Sequence, residues 1–138
     1  MGNKVPFVTA ALICERADPG EDGAITAYRI VDRCTVNPPT DLPPNVHPAI
    51  ELTLLIILKS GDVRGKSELV INLRNPAGQV KNIYKQPIVL NGGEHGASIT
   101  AKIQLGVVEY GLFWFDVFWN NQALTSVPLK LVRGGGSK

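Results

Sequence analysis

Residues 110–119 constrain the fold more than any other part of this chain. They place Phe113, Phe115, Val117 and Trp119 at alternate positions, and most of the residues between these are also large and apolar. A strand with one face in water carries polar residues at every second position. We therefore expect residues 110–119 to form a central strand, covered on one face by a second sheet and on the other by a loop or a partner.

Turn-forming residues divide the rest of the sequence into short segments with strand-like alternation. Residues 98–105 place Ile99, Ile103 and Leu105 on one face and polar residues on the other. Residues 50–59 are apolar on both faces after Thr53, which predicts a second central strand. No segment keeps a helical period. The sequence predicts an all-β fold with almost no helix and about eight strands, at residues 7–16, 24–36, 50–59, 66–74, 80–90, 98–105, 110–119 and 123–132.

The predicted connections favour an antiparallel, immunoglobulin-like Greek-key β-sandwich. Residues 75–78 fit a type I turn, residues 120–122 close the last hairpin, and residues 60–65 and 91–96 read as loops. Residues 37–48 contain five prolines and are expected to run extended between sheets. Pro87 and Pro128 cannot donate to a ladder and are expected at edges or bulges. A closed barrel is the alternative, but its outer faces should be polar.

Composition fits one soluble domain over residues 1–133, followed by a flexible tail at residues 134–138. The net charge of +2 is too small to argue for nucleic acid or an anionic membrane. Glu51 and Thr53 interrupt the longest apolar run, which is shorter than a membrane span. The apolar residues 5–14 lack a cleavage site and are interpreted as the first strand. These features predict a cytoplasmic protein.

The two cysteines are predicted to be buried free thiols. If residues 7–16 and 24–36 form a hairpin, Cys14 lies opposite Ala27 or Tyr28 near its turn, whereas Cys34 lies opposite Phe7 or Val8 near its open end. That offset corresponds to roughly 20 Å along a strand. A disulfide requires Cα atoms within about 7 Å. Free thiols fit a reducing compartment.

The order of several segments resembles a known family. Residues 11–16 and 27–32 form the first strand pair and precede the proline-rich crossover, and residues 110–117 and 124–132 close the chain. In this order the chain is similar to an uncharacterised family of small bacterial proteins, each a single immunoglobulin-like sandwich of unknown function. The resemblance implies the fold over most of the chain. It carries no functional residues to this sequence.

Metal binding and catalysis have weak signals. Asp18, Glu21 and Asp22 share one loop, where calcium ligands gather in some sandwiches, and Asp62 is a possible fourth ligand. The alternative is a solvated acidic turn. His47 and His95 have no ligand or nucleophile at a suitable spacing, and no hydrolase or phosphate-binding motif is present. We therefore predict no enzyme activity and no cofactor.

Asp116 is an unusual carboxylate because it lies between Trp114 and Phe118 on one strand face. Buried without a partner it would be costly, so a hydrogen bond across the strand pair is expected. If the last hairpin turns at Asn121, Thr125 or Ser126 is its cross-strand neighbour. We interpret Asp116 as structural.

The sequence predicts a non-enzymatic protein that acts through protein–protein contact or self-association, because it has more apolar strand faces than one small core can cover. The expected partner is an unknown protein or a second copy, without nucleic acid or membrane. The candidate interaction residues are Trp114, Phe118, Trp119, Pro128 and Lys130. The alternative is a calcium-dependent or carbohydrate-directed module, which would use loops at one end of the sandwich.

Overall fold

The computed structural model describes residues 4–37, 43 and 46–134. These residues form an all-β protein in which no helix is present, and therefore none that is long and apolar enough to cross a membrane. Seven strands belong to one hydrogen-bonded sheet: β1 (Phe7–Pro19), β2 (Ile25–Val31), β3 (Arg33–Val36), β4 (Ala49–Arg74), β5 (Val80–Gly106), β6 (Gly111–Trp119) and β7 (Gln122–Arg133).

Two very long strands join the two halves of this sheet. β4 has 26 residues and β5 has 27, and they pair antiparallel along almost their whole length. In the first half, β4 residues 53–59 also pair with β1, which pairs with β2. In the second half, β4 residues 69–74 also pair with β6, followed by β7 and β3. The β4–β5 hairpin is therefore common to both halves.

Glycine-rich bulges bend this hairpin between the halves. The pairing register shifts between Lys59 and Gly61 and again between Gly61 and Arg64. Gly61 and Gly65 on β4, and Gly92 and Gly93 on β5, have positive φ angles. Because glycine has no Cβ, it accepts these conformations at little steric cost. The bulges thus redirect both strands without ending them.

The two halves share one hydrophobic core. Ile13, Leu54 and Ile56 from the first half belong to the same buried cluster as Ile71 and Phe115 from the second. β1 and β7, which are not hydrogen-bonded neighbours, also contact each other. The bent sheet therefore folds over, so that its two inner faces enclose a common interior.

The expectation of an all-β chain is confirmed, but three of its details are wrong. Residues 60–65 and 91–96 are continuous parts of β4 and β5 instead of loops, so four predicted strands merge into two. Residues 24–36 divide at Asp32 into β2 and β3. β3 then pairs parallel with β7, so the sheet is mixed instead of fully antiparallel. The immunoglobulin-like Greek-key sandwich stays a prediction.

The tight turns are confirmed. The Gly78 amide donates to the Asn75 carbonyl at 2.9 Å, as expected for the turn at residues 75–78. Asn120 and Asn121 both have positive φ and connect Trp119 to its partner Gln122, the geometry of a type I′ hairpin. Most of the proline-rich crossover and residues 135–138 of the tail lie outside the described residues.

Pro87 and Pro128 occupy positions at which no ladder bond is lost. Pro87 is in β5, which pairs only with β4 among the described residues. On the β3 side of β7, the Lys130 amide donates to the Asp32 carbonyl at 2.9 Å. Two residues earlier, Pro128 faces the same side but precedes the first residue of β7 that pairs with β3. Its missing N–H therefore leaves no bond unmade.

Both cysteines are free, and Cys14 is buried whereas Cys34 is partly buried. Their predicted neighbours are wrong, because Cys14 pairs with Ile30 and Cys34 with Leu131. For Cys34 the cause is the division at Asp32, which takes Cys34 away from β1 and places it beside β7. For Cys14 the cause is that β1 continues to Pro19, which pairs with Ile25, so the turn comes later in the chain than predicted. Burial raises the pKa of both thiols, which disfavours their reactive thiolate forms.

Candidate interaction surfaces

The outer face of the second half is rich in apolar side chains. Trp114 and Phe118 on β6 are partly buried, and Leu112 is 42% exposed. They alternate with the fully or nearly buried inward residues of the same strand and do not belong to the core cluster. Across the ladder, Trp114 lies beside Pro128 and Phe118 beside Val70. We call these five residues the aromatic face: Val70, Leu112, Trp114, Phe118 and Pro128.

A hydrogen-bonded cluster lies within the aromatic face. Arg74 donates two hydrogen bonds to Asp116, from Nε to Oδ2 at 3.1 Å and from Nη2 to Oδ1 at 3.0 Å. The Ser126 hydroxyl donates to Asp116 Oδ1 at 2.6 Å. Arg74 also lies 5.4 Å from the ring centroid of Trp114, within cation–π distance. The predicted cross-strand partner of Asp116 is confirmed as Ser126, while Arg74 comes from a strand that sequence reasoning did not place beside β6.

The hydrogen bonds determine the protonation state of Asp116. Those from Arg74 have the largest effect and lower the pKa of the carboxyl group, helped by Ser126 and by the charge of Arg74, although partial burial acts in the opposite direction. The same interaction raises the pKa of Arg74. Asp116 and Arg74 therefore form a fixed ion pair instead of a proton donor or acceptor. This arrangement orders the face and offers no chemistry of a general acid or base.

The structure places four of the five candidate interaction residues on this side of the sheet. Trp114, Phe118, Pro128 and Lys130 occupy outward positions, and Lys130 pairs with Leu112 and Arg33. Trp119 is different, because it is only 2% exposed and belongs to the core cluster. Strand alternation puts Trp119 on the same side as Phe113 and Phe115, so it is unavailable to a partner on the outer face.

A second apolar cluster lies on the outer side of the first half; of its members only Ile30 is exposed, so most of the cluster is already covered within the protein, and sequence reasoning did not identify it. Leu55 is 3% exposed and Cys14 is fully buried, yet neither belongs to the core cluster. Their ladder neighbours include Leu12, and Ile30 lies beside Cys14 with 62% exposure. We call this the aliphatic face: Ala10, Leu12, Cys14, Ile30, Leu55 and Ile57. The signals in the sequence were the apolar character of residues 50–59 on both sides and the apolar run at residues 5–14.

A groove opens along one flank of the core, with a volume of about 880 Å³. Its walls come from the two ends of β5, residues 80–83 and 102–106, together with Leu73 and Phe113. These ends lie in different halves of the sheet, so the groove runs between the halves on their β5 side. It contains Lys81, Lys102 and Glu109 but no histidine or cysteine. The lining mixes apolar side chains with charged and amide side chains, and Glu109 accepts a hydrogen bond from Asn75 at 2.9 Å.

The predicted calcium ligands do not converge. Asp18 pairs with Arg16 at 3.0 Å, and Asp22 accepts a hydrogen bond from the Ala24 amide at 3.0 Å as a turn residue. Glu21 is exposed in the same turn. Asp62 follows Lys59, which pairs with Phe7 at the opposite end of β1, roughly 30 Å away along the strand. Among residues 4–37, 43 and 46–134, no three His, Cys, Asp or Glu side chains are grouped to hold a metal ion.

The histidines are also separate from any such group. His47 precedes β4 and is exposed. His95 is exposed within the bent part of β5, close to Glu94, whose carbonyl accepts a hydrogen bond from Lys59 at 3.1 Å.

Comparisons with known proteins do not define a family for this chain. No protein-family model and no curated protein matches it. Among solved structures, a β-glucosidase from Listeria innocua is similar over 97% of this chain and 17% of its own, with 11% identity and a TM-score of 0.47. The alkylpurine DNA glycosylase AlkC from Pseudomonas fluorescens, bound to DNA containing an abasic site analogue, is similar over 88% of this chain and 30% of its own, with 11% identity and a TM-score of 0.40. The chain thus spans less than a third of each structure.

Proposed function

We propose that this protein is a non-enzymatic interaction module that binds another protein or a second copy of itself. In this proposal the bent sheet is an immunoglobulin-like Greek-key β-sandwich of the uncharacterised bacterial family that the sequence resembles. The support is that inward side chains from both halves share one core. Two free cysteines are consistent with a cytoplasmic location.

The observation that carries the proposal is the aromatic face. A tryptophan, a phenylalanine and a leucine lie outside the core on the outer side of a central strand. Such side chains cost free energy in water and gain it when a partner covers them. Tryptophan and arginine dominate the binding energy of many protein interfaces. Trp114 beside Arg74 supplies both residue types at one place.

The ion pair in the aromatic face supports a protein partner over an apolar small molecule. Arg74 is 40% exposed and Asp116 is 16% exposed, so the pair is held in place while part of the guanidinium still reaches water. An apolar patch with fixed polar groups is typical of the centre of protein interfaces. The hollow beside Arg74, Leu112 and Trp114 has a volume of about 240 Å³, which is below the roughly 300–1,000 Å³ of sites that enclose a small-molecule ligand. The partner we propose therefore has a complementary apolar patch with a carboxylate or carbonyl group facing Arg74.

Affinity purification of the tagged protein from its native cells tests this function. The test variant is Trp114→Ser/Phe118→Ser, which removes both aromatic side chains from the outer face without changing the core cluster. The matched control is Phe7→Ser/Val89→Ser, which removes two exposed apolar side chains that belong to neither the aromatic nor the aliphatic face. We expect a stoichiometric partner that is retained by the control and lost by the test variant. Far-UV circular dichroism must show that both variants stay folded.

Two results would contradict the proposal. If the protein is recovered alone and is monomeric, it does not act through protein contact, and metal and glycan screens become the next experiments. If a partner is recovered equally with both variants, the aromatic face is not its binding surface.

A further inference from the structure

The longest strand of the protein is also an edge strand. Among the described residues, β5 pairs with β4 on one side and with no strand on the other. An unpaired edge presents backbone N–H and C=O groups in a row, ready for a strand from another chain. β5 therefore differs from β4, β6 and β7, each of which has neighbours on both sides.

The ladder with β4 shows which backbone groups face this open edge. The Val107 amide donates to the Pro48 carbonyl at 2.7 Å. In an antiparallel pair, residues two apart along a strand point their polar groups in the same direction. Leu105, Ile103, Ala101 and Ile99 thus face β4. The backbone groups on the open edge belong to the residues between them: Ser98, Thr100, Lys102 and Gln104.

The two parts of the β5 edge are protected to different degrees. The part in the second half carries Lys81, Lys85 and Pro87, and lysine and proline are common devices against edge-to-edge pairing. The part in the first half, residues 97–105, contains no proline and one charged residue, Lys102. It has the alternation of a regular strand, with Ser98, Thr100, Lys102 and Gln104 exposed. This part of the edge is suited to pairing.

We propose that residues 97–105 pair antiparallel with the same residues of a second copy of this chain, about a two-fold axis at Ala101. This inference rests on the proposed function, because it makes self-association the contact. In this register Lys102 lies opposite Thr100 of the second copy, and Ser98 lies opposite Gln104. Each of these residues directs its backbone groups outward, so the two edges would exchange about eight hydrogen bonds.

Charge and side-chain size favour this register over its neighbours. An axis one residue further on, at Lys102, would shift the pairing by two residues and place Lys102 directly opposite Lys102 of the second copy, and like charges in that position are destabilising. An axis at Ala101 instead puts a small side chain at the centre. Ile99, which is 2% exposed, would lie beside Ile103 of the second copy, so the inner face of the sheet would continue across the interface.

Sedimentation velocity of the purified protein over a range of concentrations tests the inference. We expect a monomer–dimer equilibrium for the wild type. Thr100→Lys should weaken the dimer about threefold to thirtyfold, because it places two lysine pairs across the axis. Thr100→Lys/Lys102→Glu should restore dimerisation by making both pairs attractive. Val89→Lys, which adds the same charge at an exposed position elsewhere on β5, should have no effect.

Amide hydrogen exchange locates the contact independently. The amides of Ser98, Thr100, Lys102 and Gln104 should exchange slowly in the dimer and rapidly in the Thr100→Lys variant. A wild type that is monomeric at every concentration would overturn the inference but not the aromatic-face proposal, which the purification experiment tests separately. A dimer that is insensitive to Thr100→Lys, with rapid exchange at these four amides, would show that the copies meet elsewhere.

Discussion

At the scale of single residues, Asp116 is the clearest case of a polar group whose partners make its position possible. It lies between two aromatic side chains but accepts hydrogen bonds from Arg74 and Ser126. We expect Asp116→Ala to lower the free energy of unfolding by about 1–2 kcal/mol, a modest cost because Arg74 still reaches solvent. The melting temperature should fall by several degrees. An unchanged melting temperature would show that the ion pair contributes nothing.

The same carboxyl group makes part of the stability dependent on pH. Its pKa in the folded protein is lowered from an ordinary value of 3.8 by the hydrogen bonds from Arg74. Its contribution is therefore fully present above pH 3.8 and is lost as the pH falls through the lower, folded-state pKa. Denaturant titrations of the wild type and Asp116→Asn should differ at neutral pH and converge in strong acid. A difference that persists there would assign the effect to shape instead of charge.

Ser60 is a buried polar residue whose removal, unlike that of Asp116, is not expected to destabilise the fold. Its hydroxyl oxygen is buried at the bend of β4 and has no hydrogen-bond partner among the described residues. Because an unsatisfied buried hydroxyl is costly, Ser60→Ala should leave the free energy of unfolding unchanged or raise it by up to about 1 kcal/mol. Ser126→Ala deletes the same group where it is bonded and should be destabilising. Chemical denaturation of both variants measures the contrast, and a loss of stability in Ser60→Ala would indicate a partner such as a buried water.

At the scale of elements, the β4–β5 hairpin depends on close backbone contact near its bend. A Cβ atom added to Gly96 would overlap the carbonyl oxygen of Leu58 on the paired strand. Gly96→Ala should therefore push the strands apart and cost about 1–3 kcal/mol. Gly106→Ala, in the same strand, adds a methyl group in open space and should be nearly neutral. Equal melting temperatures for the two variants would contradict this account.

The elements themselves were largely predictable from the sequence, and their connections were not. Alternation located most strand segments, because the burial of alternate side chains is a local property. The bend was mistaken for two loops because glycines with positive φ look the same in a loop and in a bulge. Only the facing strand distinguishes them, and Gly61 pairs with Gly93, which is distant in sequence. The parallel pairing of Arg33 with Lys130 is equally non-local.

The candidate surface was predictable to the same extent. Side chains alternate between the two faces of β6, so Trp114 and Phe118 lie on one face and Trp119 on the other. Alternation alone was therefore enough to exclude Trp119 from the candidate interaction residues. Arg74 was not predictable as the partner of Asp116, since it requires that β4 lie beside β6. The open edge of β5 was not predictable for the same reason, because recognising an edge strand requires knowing which strands pair with it.

At the scale of the whole molecule, the shared hairpin should make unfolding cooperative. β4 and β5 contribute to both halves of the sheet, and the core is one cluster. Trp114 and Trp119 both lie in β6, so tryptophan fluorescence reports the second half, whereas far-UV circular dichroism reports both. We expect the two signals to give the same denaturation midpoint, which is the behaviour of a two-state domain. Separate midpoints would mean that the halves unfold independently.

The places of β1 and β7 within the sheet have a mechanical consequence. β1 lies between β2 and β4, and β7 lies between β6 and β3, so neither the first nor the last strand is at an edge of the sheet. Peeling either one away breaks two ladders at once. Exchange of β1 or β7 between molecules, as in a domain-swapped dimer, is therefore disfavoured. Assembly of this protein should leave each copy's fold intact.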